Sequence, residues 1–393
     1  RFHRKIQKQM GSTYQAEVPL KKESEYEDLI LCVEGRADGI FTENEAVCID
    51  EIKGIYKSLD SLEGPVPIHR AQALCYGWIY MESHDLERID IQMTYGQLDT
   101  EEIRRFRETI TRGELEKWYQ DLTDKYHKWV SYQLAWRKKR NASMETLEFP
   151  FPYRKGQREM VAGVYHAISE EEQIFIQAPT GIGKTMSAIF PAVRAVGQGK
   201  GETVFYLTAR TITRTVAEDA FSILRGKGLH FKSITITAKE KMCFCDEMDC
   251  DPQKCPYAKG HYDRINDAVY ELWTKEEVFD RETILAQAEK YSVCPFEMTL
   301  DLAVWMDGIV CDYNYAFDPN VYLKRFFGEN IKGKYLFLID EAHNLVDRGR
   351  EMYSATLCKE EIESTRRFVR SHSNRLYRML GKAAKQLEVL KEE

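Results

Sequence analysis

The 393-residue sequence is poor in several features, and each shortage removes a class of protein. No apolar run approaches the ~20 residues that a helix needs to cross a bilayer. No stretch has the basic start, apolar middle and small-residue end of a secretion signal, and the chain opens on arginine rather than methionine. The expectation is a fragment of an intracellular protein. Positive charge is not in excess either: 56 Lys and Arg stand against 63 Asp and Glu, a net charge of −7. That gives no global basic signature of nucleic-acid binding, but it leaves room for an enzyme whose positive charge is confined to a groove. Internal repeats and low-complexity tracts are missing. The 43% apolar and 30% charged fractions are those of a globular protein. The length allows two or three domains at ~100–200 residues each.

Cysteine is what the chain does have. Ten in an intracellular setting suggest metal or catalysis before disulfides. Five of them fall between Cys243 and Cys294.

Along the chain, Phe2 to Met10 has a helical pattern. Strand-like runs follow at Leu29–Glu34, Arg36–Phe41 and Ala46–Ile52, with a turn at residues 43–45. Ile68 to Glu82 is helical and Arg88–Tyr95 strand-like. Thr100 to Arg140 is charged, aromatic and helical in period. Pro150 and Pro152 mark a boundary. Beyond it, apolar strands at Ile174–Gln177, Val204–Thr208, Ile234–Thr237, Gly308–Cys311 and Tyr335–Ile339 alternate with helices. That pattern argues for a parallel sheet covered on both faces. Ser364 to Glu393 is a charged helix.

The most specific motif is Ala178-Pro179-Thr180-Gly181-Ile182-Gly183-Lys184-Thr185, set between a candidate strand and a helix, as a phosphate-binding loop requires. Its glycines let backbone N–H groups turn inward, and the following helix start favours anions. Lys184 is expected to reach the β- and γ-phosphates of ATP, and Thr185 to ligate Mg²⁺. The strand Tyr335–Ile339 ends in Asp340 and Glu341. Asp340 is expected to hold the Mg²⁺ shell and Glu341 to activate the attacking water.

These residues together resemble superfamily 2 helicases, whose acidic box reads Asp-Glu-Ala-His as residues 340–343 do here. The resemblance implies that Gln157 reads adenine and that His343 couples hydrolysis to the nucleic acid. It also implies that Thr208 and Arg210 touch the DNA backbone. Residues 312–315 resemble the strand-end motif of the XPD and DinG helicases.

Cys243, Cys250, Cys255 and Cys294 form an uneven Cys-x₆-Cys-x₄-Cys-Pro…Cys-Pro array. Thiolates suit iron–sulfur clusters and Zn²⁺ alike; the long spacing and absence of a zinc-finger histidine favour a [4Fe–4S] cluster over Zn²⁺. The array lies between the phosphate loop and the acidic box, where XPD- and DinG-type helicases carry their cluster. Cys245 is a fifth thiol that stands as an alternative ligand to Cys243. Cys311 and Cys358 are expected to be ordinary core or surface thiols.

Near the N-terminus, Asp38 precedes Glu51-Ile52-Lys53 by one hairpin. Two carboxylates at neighbouring strand positions can ligate Mg²⁺ or Mn²⁺, with a lysine beside the scissile phosphate. This resembles the RecB-like PD-(D/E)xK nucleases. The resemblance adds Gln72 and Tyr76 as that group's Gln-x₃-Tyr helix, touching nucleic acid, and His3 as a further metal ligand.

The expected fold is α/β throughout. A restriction-endonuclease-like nuclease domain (1–98) leads through a helical connector (99–149) to a RecA-like lobe (150–240 and 307–346). An iron–sulfur insert (241–306) and the start of a helical arch (347–393) complete it. The resemblance implies an ATP-dependent DNA helicase, 5′ to 3′ on single-stranded DNA, fused to a metal-dependent nuclease. It places the protein in the bacterial cytosol or nucleoid, away from membranes, and in need of a second motor lobe of the same protein. The alternative is a DNA-binding, cluster-bearing module with an inactive nuclease fold and no turnover of its own.

Overall fold

The computed structural model describes residues 2–26, 29–209, 211–329 and 331–392. The chain forms two compact units, residues 1–133 and 134–393. None of the described helices is long and apolar enough to cross a membrane.

In the first unit, helix α1 (Phe2–Gln7) is followed by strands β1 (Gln15–Tyr26), β2 (Leu29–Glu43) and β3 (Ala46–Ile55). Helix α2 (Pro67–Ser83) then returns the chain to β4 (Arg88–Gln97), and β5 (Ile103–Thr111) closes the sheet. The strand order is β1-β2-β3-β4-β5, with only the β3/β4 pair parallel. A parallel pair needs a crossover, and α2 supplies it. Its apolar face buries Ala73, Leu74, Trp78 and Met81 among Ile49, Ile89, Ile91 and Met93 of the sheet. Two expectations change here. β1 is an additional strand, and the stretch expected to begin a helical connector at residue 99 instead starts as β5, paired along β4 from Ile103 to Thr111.

Helix α3 (Arg112–Glu145) gives residues 112–133 to the first unit and 134–145 to the second. In the second unit follow α4 (Gln157–Ser169), α5 (Lys184–Gly197), β6 (Thr203–Thr208), α6 (Thr211–Arg225) and β7 (Ser233–Thr235). The cysteine-rich segment carries α7 (Lys239–Met242), α8 (His261–Lys275), β8 (Val278–Phe279), α9 (Arg281–Tyr291) and α10 (Pro295–Ala303). Then come β9 (Gly308–Asp312), α11 (Asn314–Phe317), α12 (Lys324–Phe327), β10 (Tyr335–Ile339) and α13 (Leu345–Met352). The chain ends in α14 (Lys359–Val369) and α15 (Asn374–Glu392), so the single expected C-terminal helix is two. They are tied by the Lys359–Glu388 ion pair and by Arg366 over the Tyr377 ring at 4.4 Å.

The second sheet runs β10-β6-β9-β7-β8, all parallel, as the alternation of apolar strands and helices predicts. Ile189, Val193 and Val196 of α5 and Phe221 and Leu224 of α6 pack on Val204, Tyr206 and Val310. One expected strand does not form. Residues 174–177 are hydrogen-bonded into no ladder, and Phe175 is 88% exposed. A strand exists through its partners, and among the described residues none pairs with this segment or with the outer edge of β10.

Buried Asp307 fastens the second half of α3 to this unit. It accepts from Arg140 Nη1 at 2.6 Å, Trp136 Nε1 at 2.9 Å and the Lys232 amide at 2.9 Å. Asp307→Ala would leave the buried guanidinium without its counter-charge. The expected cost is about 3–5 kcal/mol, read as a lowered urea midpoint. A loss within experimental error would mean that the node does not hold α3.

Candidate functional site

In the parallel sheet, β6, β9 and β10 end side by side: Thr208 pairs with Asp312, and Ile339 with Leu207. Ligands in open α/β sheets gather beyond this carboxyl edge. The phosphate loop reaches the same edge. Gly183 caps α5 with φ 85°, a left-handed conformation that β-carbons disfavour, and a Cβ there would stand 2.7 Å from Gln157 Nε2. No side chain caps the start of α5, so its amide groups are left for a ligand. The stretch from Pro179 to Gly181 is exposed, Ala178 and Ile182 half-buried.

Lys184, the first residue of α5, donates to Glu341 Oε1 at 3.3 Å. Glu341 itself has φ 50°, an uncommon conformation for a residue with a β-carbon, and His343 Nδ1 lies 3.4 Å from its Oε2. Thr185 Oγ1 accepts from the buried Tyr206 hydroxyl at 3.3 Å. Burial, followed by the neighbouring Glu341 charge, raises the Asp340 carboxyl above the usual range. The expected phosphate, Mg²⁺ and water-activating residues thus converge. Gln157 is buried: its amide donates to the Ile182 carbonyl and its oxygen accepts from the Arg154 amide at 2.7 Å. It braces the loop in this state. Thr208 is wholly buried with its hydroxyl unpartnered among the described residues, and Arg210 lies outside them.

Sequence reasoning named Tyr313 only as part of the 312–315 motif, with no role of its own, and missed Arg214 and Arg348. The Tyr313 hydroxyl donates to the carbonyls of Asp340 and Glu341, holding the acidic turn. Arg214 and Arg348 flank Asp312 at 4.0 and 3.6 Å. No motif spacing links these residues; only the fold does.

Cys243, Cys245, Cys250, Cys255 and Cys294 line one cavity of about 220 Å³. Sγ of Cys245 and Cys255 are 4.0 Å apart, and Lys239 is held charged chiefly by its hydrogen bond with Cys250. His261, also lining the cavity, accepts the Cys294 amide on Nδ1 at 3.2 Å. The donor chemistry suits a thiolate-bound cluster. The geometry leaves Cys243 and Cys245 both adjacent, so the fourth thiol stays open between them.

In the first unit, β2 and β3 bring Asp38, Glu51 and Lys53 together. Ile52 N donates to Asp38 Oδ2 at 2.7 Å, and His3 Nδ1 is 3.2 Å from Oδ1. Lys53 Nζ donates to Glu51 Oε1 at 2.7 Å and to Gln72 Oε1 at 3.0 Å; Gln72 in turn donates to the Tyr76 hydroxyl at 3.0 Å. The six expected residues thus fall in two hydrogen-bonded chains, His3–Asp38 and Glu51–Lys53–Gln72–Tyr76, which meet at the β3 backbone where Ile52 N holds Asp38. Among the described residues, however, no three His, Cys, Asp or Glu side chains are gathered as an ion would need, here or at the thiols. Internal partners take up much of the donor set. One atom is left over: Glu51 Oε2, on a residue 2% exposed, has no partner among the described residues. A buried carboxylate oxygen without a donor is what a divalent cation would satisfy.

Asp50, the neighbour, is a missed residue of a different kind. It accepts from Tyr14, Gln92 and Thr94 at 3.0, 3.0 and 2.6 Å, which satisfies it structurally. Gly39 makes this possible, since any Cβ there would fall 1.9 Å from the Tyr14 ring.

Fold and site define a parallel-sheet α/β unit with a phosphate-loop motif at its carboxyl edge, in a chain whose first unit is a second α/β fold. Comparison with known proteins narrows the class. Residues 154–277 match the DEAD/DEAH box helicase family model, and residues 230–362 match the DEAD_2 model. Each match covers about a third of the chain. It is 31% identical over 98 residues to Fanconi anemia group J protein homolog of Gallus gallus, covering 25% of this chain and 7% of that protein. Regulator of telomere elongation helicase 1 of Bos taurus is 21% identical over 267 residues, covering 56% and 22%. ATP-dependent DNA helicase CHL1 of Kluyveromyces lactis is 22% identical over 129 residues, covering 33% and 16%. The chain thus spans less than a quarter of each of these relatives. Among solved structures, one titled "Truncated XPD" aligns with TM-score 0.41 and 20% identity, over 60% of this chain and 65% of that one.

Burial, the main cause, pushes the Glu51 carboxyl up to about 7 from 4.5. The folded state then binds the extra proton between those values, so stability is lost as pH rises from the unfolded value through about 7. Glu51→Gln keeps the shape without the charge. In chelator, it should stabilise at pH 8 by on the order of 1–3 kcal/mol and do little at pH 5. Urea melts at both pH values check this; equal effects at both would exclude the buried charge as the cause.

Proposed function

We propose that the chain is the ATP-binding part of an iron–sulfur DNA helicase of the XPD and DinG type, moving 5′ to 3′ on single-stranded DNA and fused to a metal-dependent nuclease. The observation that carries the motor reading is the meeting of Lys184, Thr185, Asp340 and Glu341 at one sheet edge, inside the residues that match helicase models. Lys184 would exchange Glu341 for the terminal phosphates of ATP. Mg²⁺, held through Thr185 and Asp340, would supply charge neutralisation between those phosphates. Glu341, freed, would orient the attacking water and accept its proton. His343, 3.4 Å from Glu341, would link that step to bound DNA, with Arg210 contacting its backbone; Thr208, expected to share that contact, is wholly buried and would only shape the strand end.

The thiols of Cys250, Cys255 and Cys294, with Cys243 or Cys245, would hold the [4Fe–4S] cluster. The nuclease reading rests on the Asp38, Glu51 and Lys53 network and the unsatisfied Glu51 oxygen. Asp38 and Glu51, with His3, would hold Mg²⁺ or Mn²⁺, which supplies Lewis-acid activation of water and phosphate. Lys53 would face the scissile phosphate, kept in place by Gln72 and Tyr76.

In the intact protein, Lys184→Ala and Glu341→Gln should each abolish DNA-stimulated ATP turnover; full turnover in either refutes the motor. Asp38→Ala should abolish cleavage of single-stranded DNA while ATP turnover persists, and continued cutting would remove the nuclease reading. Anaerobically purified protein should contain iron and absorb in the visible; zinc in its place would sink the cluster assignment.

A further inference from the structure

His69 belongs to no motif recognised in the sequence, yet it stands beside the candidate nuclease residues. It lies in the first turn of α2, three residues before Gln72 and therefore on the same face. Gln72 is the residue that α2 uses to hold Lys53, at 3.0 Å. Across the site, Tyr95 of β4 is the register partner of Lys53 in the parallel ladder, so both side chains leave the same face of the sheet.

Tyr95 is wholly buried, and its hydroxyl accepts the Val66 amide at 2.9 Å. The phenol proton is then free to go to His69 Nδ1, 3.2 Å away. Among the described residues His69 Nδ1 is the acceptor recorded for that proton, and a buried phenol left without an acceptor is unfavourable, which selects the tautomer. Nδ1 is the acceptor, and the ring proton sits on Nε2, at the far edge of the imidazole from the buried phenol. The ring is neutral, because burial and the Lys53 charge both disfavour the imidazolium. Nδ1 makes the ring's one hydrogen bond among the described residues, and the imidazole is half-buried. What the residue offers outward is thus a neutral N–H donor next to a lysine. It offers no lone pair to a metal and no base to a water.

We propose that His69 orients the substrate at this site, its Nε2–H donating to a non-bridging oxygen of a DNA phosphodiester beside Lys53. Tyr95 is the positioning residue that sets the tautomer. This rests on the nuclease reading above and names which group of the chain, besides Lys53, holds the phosphate. Phosphate oxygens are acceptors only, so a fixed donor matches them. A histidine presenting Nε2 as an acceptor would be mismatched to them.

The test uses the whole chain, a single-stranded oligonucleotide and a Mn²⁺ titration. Asp38→Ala is run first; if it still cuts, the nuclease reading fails and His69 falls with it. If Asp38→Ala is inactive, the His69 variants decide separately. His69→Ala should lower kcat/KM by roughly tenfold to a hundredfold, the worth of a hydrogen bond to a charged group. The Mn²⁺ concentration for half-maximal rate should stay at the wild-type value. His69→Gln, which restores an N–H donor, should recover most of the loss, and Tyr95→Phe should fall between wild type and His69→Ala. Unchanged kcat/KM in His69→Ala overturns the proposal. So does a shift in the Mn²⁺ midpoint, which would make His69 a metal ligand instead.

Discussion

The parallel ladder of β6, β9 and β10 is the constraint on which the second unit depends. Parallel strands finish at one edge, and their register leaves no choice about which residues arrive there. Because Leu207 pairs with Ile339 and Thr208 with Asp312, the acidic turn, the Thr208 strand end and the Asp312 motif come out as neighbours. The Asp340 amide closes the arrangement by donating to the Leu207 carbonyl at 2.9 Å. The phosphate loop is placed against this edge by packing: α5 sits on the sheet through Ile189 and Val193, and its first residue meets Glu341.

The first unit solves a similar problem with one parallel pair in an otherwise antiparallel sheet. The β3/β4 pair forces a crossover, and the crossover helix lies over the strands that bear Glu51, Lys53 and Tyr95. Side chains from helix and sheet can therefore meet: Gln72 on Lys53, His69 on Tyr95. The two carboxylates next to each other in sequence have opposite fates for the same reason. Successive strand residues point to opposite faces, so Asp50 is sealed under Tyr14 and Thr94 while Glu51 faces Lys53.

Much of this was legible in the sequence, and the misses share a cause. Residues 335–339 form a strand with the expected bounds: five apolar residues are too short for a helix and end in two acids, although at the sheet edge none of them is fully buried. β1, Gln15–Tyr26, escaped because an edge strand rich in lysine and glutamate carries no apolar signal. β5 carries four charges in Ile103–Thr111 and was absorbed into the helical pattern that follows. The segment 174–177 is the converse: its residues are apolar enough for a strand, but a strand needs neighbours that local sequence does not specify. Motif residues such as Lys184, Asp340, Asp38 and Lys53 could be found because spacing along the chain encodes them. The roles of Arg348, His69 and Tyr95 could not, and Tyr313 was visible only as a member of the 312–315 motif, since their roles come from contacts between distant elements.

The Lys184–Glu341 contact has a further consequence. Its side chains are 31% and 41% exposed, and such pairs are worth only about 0–1 kcal/mol. A triphosphate can therefore break it at little expense. Until that happens, the glutamate that would handle the water is occupied by the very lysine that must first let go to greet the phosphates. On the proposed reading, a contact this weak would park the two side chains side by side without locking them, so nucleotide would compete with a carboxylate that lets go readily.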